Sequence, residues 1–291
     1  MKWLTSTLAL ALFCSGAFAQ ETADSTKPNK PDTIRIGNII IIKKASIGKK
    51  RSIEINGDGD QAKKKKSRVS TNWGIIDLGF ANYNDQTDYG QAGSFLVNRP
   101  GFPAINGSDF KLRTGKSVNV NIWFFMQTLH LVKENVNLKY GLGLELNNYR
   151  YRSAISYKEN GPVPYSNGSI TNAPFVFRDS ISFSKNKLAA DYLTVPLMLN
   201  FASNAKTGKK PFILSVGVSA GYLYSQRNKQ KSEERGKEKN KGDYDLEKFK
   251  FSYIGEIGFG PVKFYGSYSP KSLYEHSLDI RPFTFGIRFS N

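Results

Sequence analysis

Residues 212–222 read Phe-Ile-Leu-Ser-Val-Gly-Val-Ser-Ala-Gly-Tyr, and this stretch decides the fold. Large apolar side chains occupy every second position, and serine or glycine fills most of the positions between them. A period of two residues is that of a β-strand, whose successive side chains point to opposite faces. One face of this strand is therefore apolar, and the other carries mostly small or polar side chains.

The same alternation recurs in seven further stretches after Asn72, which gives eight predicted strands. The other seven are residues 73–83, 117–131, 136–147, 190–201, 249–259, 262–269 and 283–289. On the outward faces of the first two strands we place large apolar side chains: Ile76, Leu78 and Phe80, then Val118, Val120, Ile122, Phe124 and Met126. Pro196 cannot donate a hydrogen bond to a neighbouring strand, so we expect a bulge or a local gap there.

The lengths of the connections distinguish a membrane barrel from a soluble sandwich, which alternates in the same way. In chain order they are long (84–116), short (132–135), long (148–189), short (202–211), long (223–248), very short (260–261) and moderate (270–282). Outer-membrane barrels combine short periplasmic turns with longer outer loops. We therefore predict an all-β fold over residues 72–291, an eight-stranded antiparallel up-and-down transmembrane β-barrel in the outer membrane of a Gram-negative cell, with both termini periplasmic.

Composition excludes a helical membrane protein. The chain has a formal net charge of +18 and 39% hydrophobic residues, and its apolar runs are short. A membrane-spanning helix needs roughly 20 consecutive apolar residues. The 20 Phe, 15 Tyr and 26 Gly suit β-structure with close backbone approach.

Charged residues on the polar faces of the strands define the predicted lumen. They are Asp77, Lys139, Glu145, Lys250, Glu256, Lys263 and Arg288. A basic side chain on the lipid face at mid-depth would cost about 2–4 kcal/mol, so the alternation places these groups inside. Because a barrel of about eight strands has room only for its own side chains, we predict a packed, mutually neutralising structural network. The alternative is a proton or ion path through the same groups.

Residues 192–201, Tyr-Leu-Thr-Val-Pro-Leu-Met-Leu-Asn-Phe, resemble the proline-containing "Y-L-x-I-P-L-L-L-x-Y/F" strand of PorT-like outer-membrane β-barrel proteins. The resemblance extends to the glycine-rich stretch 140–145 and to residues 283–289, and it covers about residues 72–291. It implies an outer-membrane barrel and, for one branch of the family, a role in the assembly of a secretion system. No set of functional residues comes with these motifs, so the branch's role is not carried over.

The first residues have the pattern of a secretory signal peptide. A charged start at Lys2 precedes a short apolar stretch and an Ala-Phe-Ala site, which predicts removal of residues 1–19 by cleavage between Ala19 and Gln20. The only cysteine, Cys14, would leave with this segment, and Phe13 before it argues against lipidation. The mature chain then has neither disulfides nor thiol chemistry.

Residues 20–71 form a separate N-terminal segment, for which we predict a periplasmic location and a short strand or hairpin near residues 34–55. Its polybasic linker, the lysines at 63–66, would meet no nucleic acid in that compartment. Attraction to lipid headgroups or simple solvation of the linker both remain open. At the other end, Phe289 stands two positions before the last residue, and we expect the outer-membrane barrel assembly machinery to recognise it.

Two outer connections differ in chemistry. Residues 226–248 are mostly charged, and we expect them to be mobile or only locally ordered. Residues 154–187 carry several aromatic side chains, which are sticky for an exposed loop. This loop is the best candidate for contact with a protein partner, a ligand or the barrel's own rim.

The favoured function is that of a non-enzymatic barrel in outer-membrane lipid, with a structural role or a loop-mediated interaction or assembly role. A narrow channel or a transport- or secretion-associated component is the alternative, and a lipid-modifying enzyme is less favoured. Such an enzyme needs a base beside a nucleophile. Only His130, at the wrong leaflet, and His276, whose neighbours Glu275 and Ser277 should point away from it, are available. We predict no catalytic residues, no metal site and no cofactor.

Overall fold

The computed structural model describes the backbone of residues 32–36, 39–43 and 53–57, and the full residues 67–132, 135–203, 212–259 and 262–290. The chain divides into two compact units, Met1–Lys65 and Lys66–Asn291. In the first unit the strands Asp32–Ile36, Ile39–Lys43 and Ile53–Gly57 form an antiparallel sheet in chain order, in the segment where a strand or hairpin was predicted. The predicted cleavage site at Ala19 and Gln20 and the lysines at 63–66 lie outside the described residues.

Eight antiparallel strands of the second unit form a closed ring. They are β1 (Val69–Asp85), β2 (Val118–Val132), β3 (Val136–Arg150), β4 (Lys185–Ala202), β5 (Phe212–Lys231), β6 (Phe249–Phe259), β7 (Val262–Tyr268) and β8 (Ile280–Phe289). Each strand pairs with its neighbours in chain order, and β8 pairs with β1. The predicted eight-stranded antiparallel barrel is thus confirmed. The largest departure is β5, which continues past the predicted end at Tyr222 to Lys231.

Side chains alternate between an apolar outer surface and a buried interior. On β1, for example, Leu78 is 50% exposed and the adjacent Asp77 is 0% exposed. Ring closure leaves no sheet edge along the paired length, which satisfies the backbone polar groups that lipid cannot. Helical structure in the described part is limited to two short 3-10 turns, Gly93–Phe95 and Thr114–Lys116. No helix there combines the length and the hydropathy needed to traverse a bilayer.

The predicted outward position of Met126 is wrong, because β2 contains a bulge. Trp123 pairs with Gly143 of β3, but Phe125 pairs with Leu142, so Phe124 is an extra residue. A bulge shifts the inside–outside parity by one position. Met126 is consequently 1% exposed and belongs to an interior cluster with Ile75, Trp123 and Met198.

Pro196 lies at a local gap, as its sequence position predicted. The β3–β4 ladder pairs Thr194 with Gly143 and Leu197 with Tyr140 in one register, and the two positions between them carry no pair. On the other side of β4, Pro196 is opposite Ser219 of β5. The gap follows from the missing N–H of proline.

The seam between β1 and β8 closes over paired glycines. Gly79 lies opposite Gly286, and the Tyr265 ring of β7 covers the pair. A Cβ on Gly286 would lie 2.8 Å from Tyr265 Cε1 and would collide with the Leu78 carbonyl. The absence of side chains at this point lets the tyrosine ring approach the backbone of the seam closely.

The long connections fold into a compact structure, which we call the outer cap: residues 86–117, 151–184, 232–248 and 269–279. Three short strands, Leu96–Val97, Ile155–Lys158 and Phe175–Arg178, form a small mixed sheet within it. We expected residues 226–248 to be mobile or only locally ordered, and part of this segment has regular structure. Arg227–Lys231 at the end of β5 pairs in register with the strand Lys237–Lys241, so these charged residues form a hairpin.

Candidate functional site

The seven charged residues placed in the lumen by the sequence are all buried inside the barrel, each with 8% exposure or less. Arg288 lies directly opposite Asp77 across the seam. Its Nε and Nη2 each donate to an Asp77 carboxylate oxygen at 2.7 Å, and its Nη1 donates to Glu256 Oε2 at 2.6 Å. This planar, two-point contact is the strong geometry of an arginine–carboxylate pair.

Glu256 is the centre of a first charge cluster. Lys139 Nζ donates to both of its carboxylate oxygens, at 2.8 and 3.0 Å, and Lys263 Nζ lies 3.5 Å from Oε1. With the Arg288 contact, three basic groups surround one carboxylate. Such a cluster offsets the large cost of taking charges out of water only because the charges are mutually paired.

A second cluster is built around Glu145. Lys250 Nζ forms an ion pair with Glu145, and Asn147 Nδ2 donates to Glu145 Oε1 at 3.0 Å. Asn119 Nδ2 in turn donates to Asn147 Oδ1 at 2.9 Å and to Asn121 Oδ1 at 3.0 Å. Since Asn121 Nδ2 donates to Asp77 Oδ2 at 3.1 Å, a row of asparagines joins the two clusters.

The uncharged members of this network were missed by the sequence reasoning. Trp123 Nε1 donates to Asp77 Oδ2 at 2.7 Å, and Tyr265 OH donates to Asn119 Oδ1 at 2.5 Å. Their signal was present, because Asn119, Asn121 and Trp123 occupy alternate inward positions of β2. Polar residues at such positions need partners as much as charged ones do.

The interior holds little free space beside the network. A cavity of about 30 Å³ is lined in part by Glu145, Thr194 and Arg288, which is room for about one or two water molecules. The three carboxylates and four basic groups leave one positive charge, and each carboxylate already contacts a cation. Among the described residues, no group of three or more His, Cys, Asp or Glu side chains could hold a metal ion.

The outer cap closes the end of the barrel with aromatic side chains. The hydroxyl of Tyr157 is 2.6 Å from that of Tyr151 and 2.7 Å from that of Tyr274, and all three rings are at most 2% exposed. Burial raises the pKa of Tyr157 and Tyr274 well above the usual 10. These phenols therefore remain neutral, and their hydrogen bonds join two connections, 151–184 and 269–279.

Ion pairs fasten the connections of the cap to one another. Arg178 donates from Nε and Nη2 to the two carboxylate oxygens of Asp109, at 2.7 Å each, and from Nη1 to the Pro103 carbonyl at 2.5 Å. The hydrogen bond with Asp109 raises the pKa of Arg178. Arg235 similarly contacts Asp179 at 2.8 and 3.2 Å. The cap is thus a cross-linked structure rather than a set of independent loops.

The two histidines do not form a catalytic arrangement. His276 Nδ1 lies 2.9 Å from Asp245 Oδ1, and Ser277 Oγ donates to the other carboxylate oxygen at 2.6 Å. The carboxylate thus holds both side chains, and the serine hydroxyl donates to Asp245 rather than to the imidazole. His130 Nδ1 is 2.7 Å from Asn137 Oδ1 in the barrel. The hydrogen bond and charge of Asp245 raise the pKa of His276.

Comparison with known proteins gives one family. The sequence profile described as "outer membrane protein beta-barrel domain" matches residues 80–290. No curated protein matches. Three solved chains match, among them a triple mutant of the Rh. blastica porin, which is 8% identical over 77% of this chain and 100% of its own, with a TM-score of 0.17. A likeness at that TM-score carries no argument about function.

Proposed function

Because this chain belongs to the outer membrane protein beta-barrel domain family, we propose that it is a non-enzymatic outer-membrane barrel with a closed lumen, acting through its outer cap in a structural, interaction or assembly role. One observation carries this proposal: two separate layers of side chains obstruct the lumen. The ion network occupies the barrel, and the tyrosine-rich cap covers the end with the long connections. Neither layer has the open width that a diffusion pore needs.

Conductance in planar lipid bilayers tests the closed lumen. The purified full chain should give no stable current steps under conditions in which a general porin gives them. Steps of defined size would instead support the narrow channel and would overturn the closed-lumen proposal. The cavity beside Glu145 and Arg288 is the place at which such a path would have to open.

The orientation of the barrel is part of the proposal: we place the outer cap outside the cell and both termini in the periplasm. The parity of long and short connections supports this placement. With Cys14 removed in the signal peptide, a single introduced cysteine reports its own side of the membrane. On intact cells a membrane-impermeant maleimide should label Ile170→Cys, at the 75% exposed tip of the cap. It should label Ser203→Cys in a short turn only after the outer membrane is opened, and the reverse pattern would invert the orientation.

Loss of the only histidine in the cap, by His276→Gln, tests the absence of enzymatic activity. We expect the lipid composition of cells that express the variant to match that of cells with the wild type. A change in acyl chains or headgroups that depends on His276 would overturn the non-enzymatic assignment.

Residues 154–187 remain the predicted surface for a protein partner, and Ile170 and Tyr165 are exposed there. Membership of the PorT-like family also remains a prediction.

A further inference from the structure

A dense set of basic side chains shares one face of the sheet where β3, β4, β5 and the hairpin strand Lys237–Lys241 meet. We call this set the basic face. Its members are Arg150, Lys185, Lys187, Arg227, Lys229, Lys231, Lys237, Lys239 and Lys241. The alternating inward positions carry uncharged buried side chains such as Asn186, Asn228 and Gln230. The basic face therefore points away from the barrel interior.

The strand register arranges these cations in rows. Lys187 lies opposite both Arg150 of β3 and Lys229 of β5, and Lys229 lies opposite Lys239 of the hairpin. A second row joins Lys185, Lys231 and Lys237 in the same way, and Arg227 lies opposite Lys241. Side chains directly opposite on neighbouring strands have Cβ atoms about 4.5–5.5 Å apart, where like charges destabilise the sheet.

The basic face has almost no internal neutralisation. Among the described residues, Arg227 alone of the nine forms an ion pair, with Asp191. Lys187 Nζ donates to the neutral Asn148 Oδ1 at 2.5 Å, and Arg150 Nη2 donates to the Ser184 carbonyl. Glu238 alternates with Lys237 and Lys239 on the hairpin strand and so faces the opposite side of the sheet, and Glu233 and Glu234 lie in the exposed turn of the hairpin. A fold that sets like charges in register without countercharges implies an external anion.

The depth of the basic face indicates which anion is available. Along β5 the outward side chains run from Leu214 through Val216 to the exposed Tyr222 and Tyr224, and the basic positions begin at Arg227. Exposed aromatic rings form the girdle of a membrane barrel at the interface between hydrocarbon and headgroups. Basic residues one step beyond the girdle lie at the level of the headgroups.

We propose that the basic face binds the phosphorylated headgroups of the outer-leaflet lipid, several phosphates at once. This inference rests on the proposed function, because the orientation with the cap outside the cell brings the basic face to the outer leaflet. In parallel rows, the ammonium and guanidinium groups provide repeated contacts for a headgroup that carries more than one phosphate. Lysine and arginine near an anionic membrane surface each contribute about fivefold in affinity.

The test uses the purified full chain in a nonionic detergent and diphosphoryl lipid A as the probe. The variant Lys187→Gln/Lys229→Gln/Lys239→Gln removes the three lysines of the central row and keeps Arg150. The control Lys111→Gln/Lys158→Gln/Lys248→Gln removes the same charge from exposed lysines elsewhere on the cap. At about fivefold per residue, the row variant should bind lipid A about 100-fold more weakly, and the control should bind within about threefold of the wild type. The wild-type affinity should also fall steeply with added salt.

Equal lipid A affinity in the row variant and the wild type would overturn the inference, and so would a loss of affinity in the control variant equal to that in the row variant. Displacement of lipid A by millimolar inorganic phosphate alone would also overturn it, because it would mean a site for free phosphate. A shift in gel mobility on boiling would show that each variant is folded. Failure of the proposed function is read separately. Conductance by the wild type would overturn the closed lumen even if lipid A binding still depended on the row. Conversely, wild-type lipid A binding by the row variant would overturn the inference but leave the closed lumen intact.

Discussion

Replacing Asp77 with asparagine should destabilise the barrel by about 3–5 kcal/mol, the cost of removing one partner from a buried ion pair. The Asp77 carboxylate accepts four hydrogen bonds, two from Arg288 and one each from Trp123 and Asn121. Asparagine has nearly the same shape, but its amide nitrogen would face at least one of these donors. It would also leave the interior with two unbalanced positive charges in place of one.

Equilibrium urea unfolding in phosphatidylcholine vesicles, followed by tryptophan fluorescence, measures this loss. Asp88→Asn is the matched control, because Asp88 is exposed in the outer cap and the amide oxygen of asparagine can still accept the turn hydrogen bond from the Gly90 N–H. Only the contact with the exposed Gln91 side chain would be lost, so the substitution should change stability by less than about 1 kcal/mol. A double variant with Arg288→Met should lose about 1–3 kcal/mol less than the sum of the single losses. Additive losses, or a loss below about 1 kcal/mol for Asp77→Asn, would refute the reasoning.

Three further substitutions test other features. Met126→Ala should cost about 2–5 kcal/mol by opening a cavity, and an unchanged urea midpoint would return Met126 to the lipid face. Gly286→Ala should cost about 1–3 kcal/mol by overpacking the seam, seen as loss of the unboiled gel form at a lower temperature; wild-type heat resistance would mean that the seam tolerates a methyl group. The ring of His276 should titrate by NMR above 6.5, and Asp245→Asn should lower that pKa. Because the folded pKa is raised, the Asp245 contact stabilises the cap below about pH 6.5 and is lost as pH rises through the folded pKa; a titration at or below 6.5 would contradict this.

Alternation and connection length were sufficient to predict the ring of strands and its inward charges. Both signals are local. A period of two residues assigns the side chains to the two faces of the sheet, and the alternation of long and short connections indicates an up-and-down barrel with its long loops at one end. The bulge at Phe124 left no such signal, because Ile122, Phe124 and Met126 are all apolar at alternate positions. An extra residue of the same polarity moves the later side chains of the strand to the opposite face without changing the pattern.

The hairpin at residues 227–241 was not predicted, for a different reason. Its charge density is that of a disordered segment, but every second residue of Lys237–Lys241 is a lysine and the register matches Arg227–Lys231. The outer cap was also beyond reach from the sequence. Its aromatic core joins Tyr157 and Tyr274, which are 117 residues apart, and no local pattern indicates such a contact.

The Asp77–Arg288 pair is a contact that forms late in the folding of the barrel. Its members belong to the first and last strands of the ring and are 211 residues apart in the chain. Contacts between such distant residues form late, because the entropy of closing the intervening chain must be overcome first. Until β8 arrives, Asp77 lacks its main counterion and β1 keeps a free edge. Pairing of β8 with β1 is therefore a kinetic precondition for a stable barrel: without β8, seven strands can align, but the carboxylate on the first of them has no arginine partner.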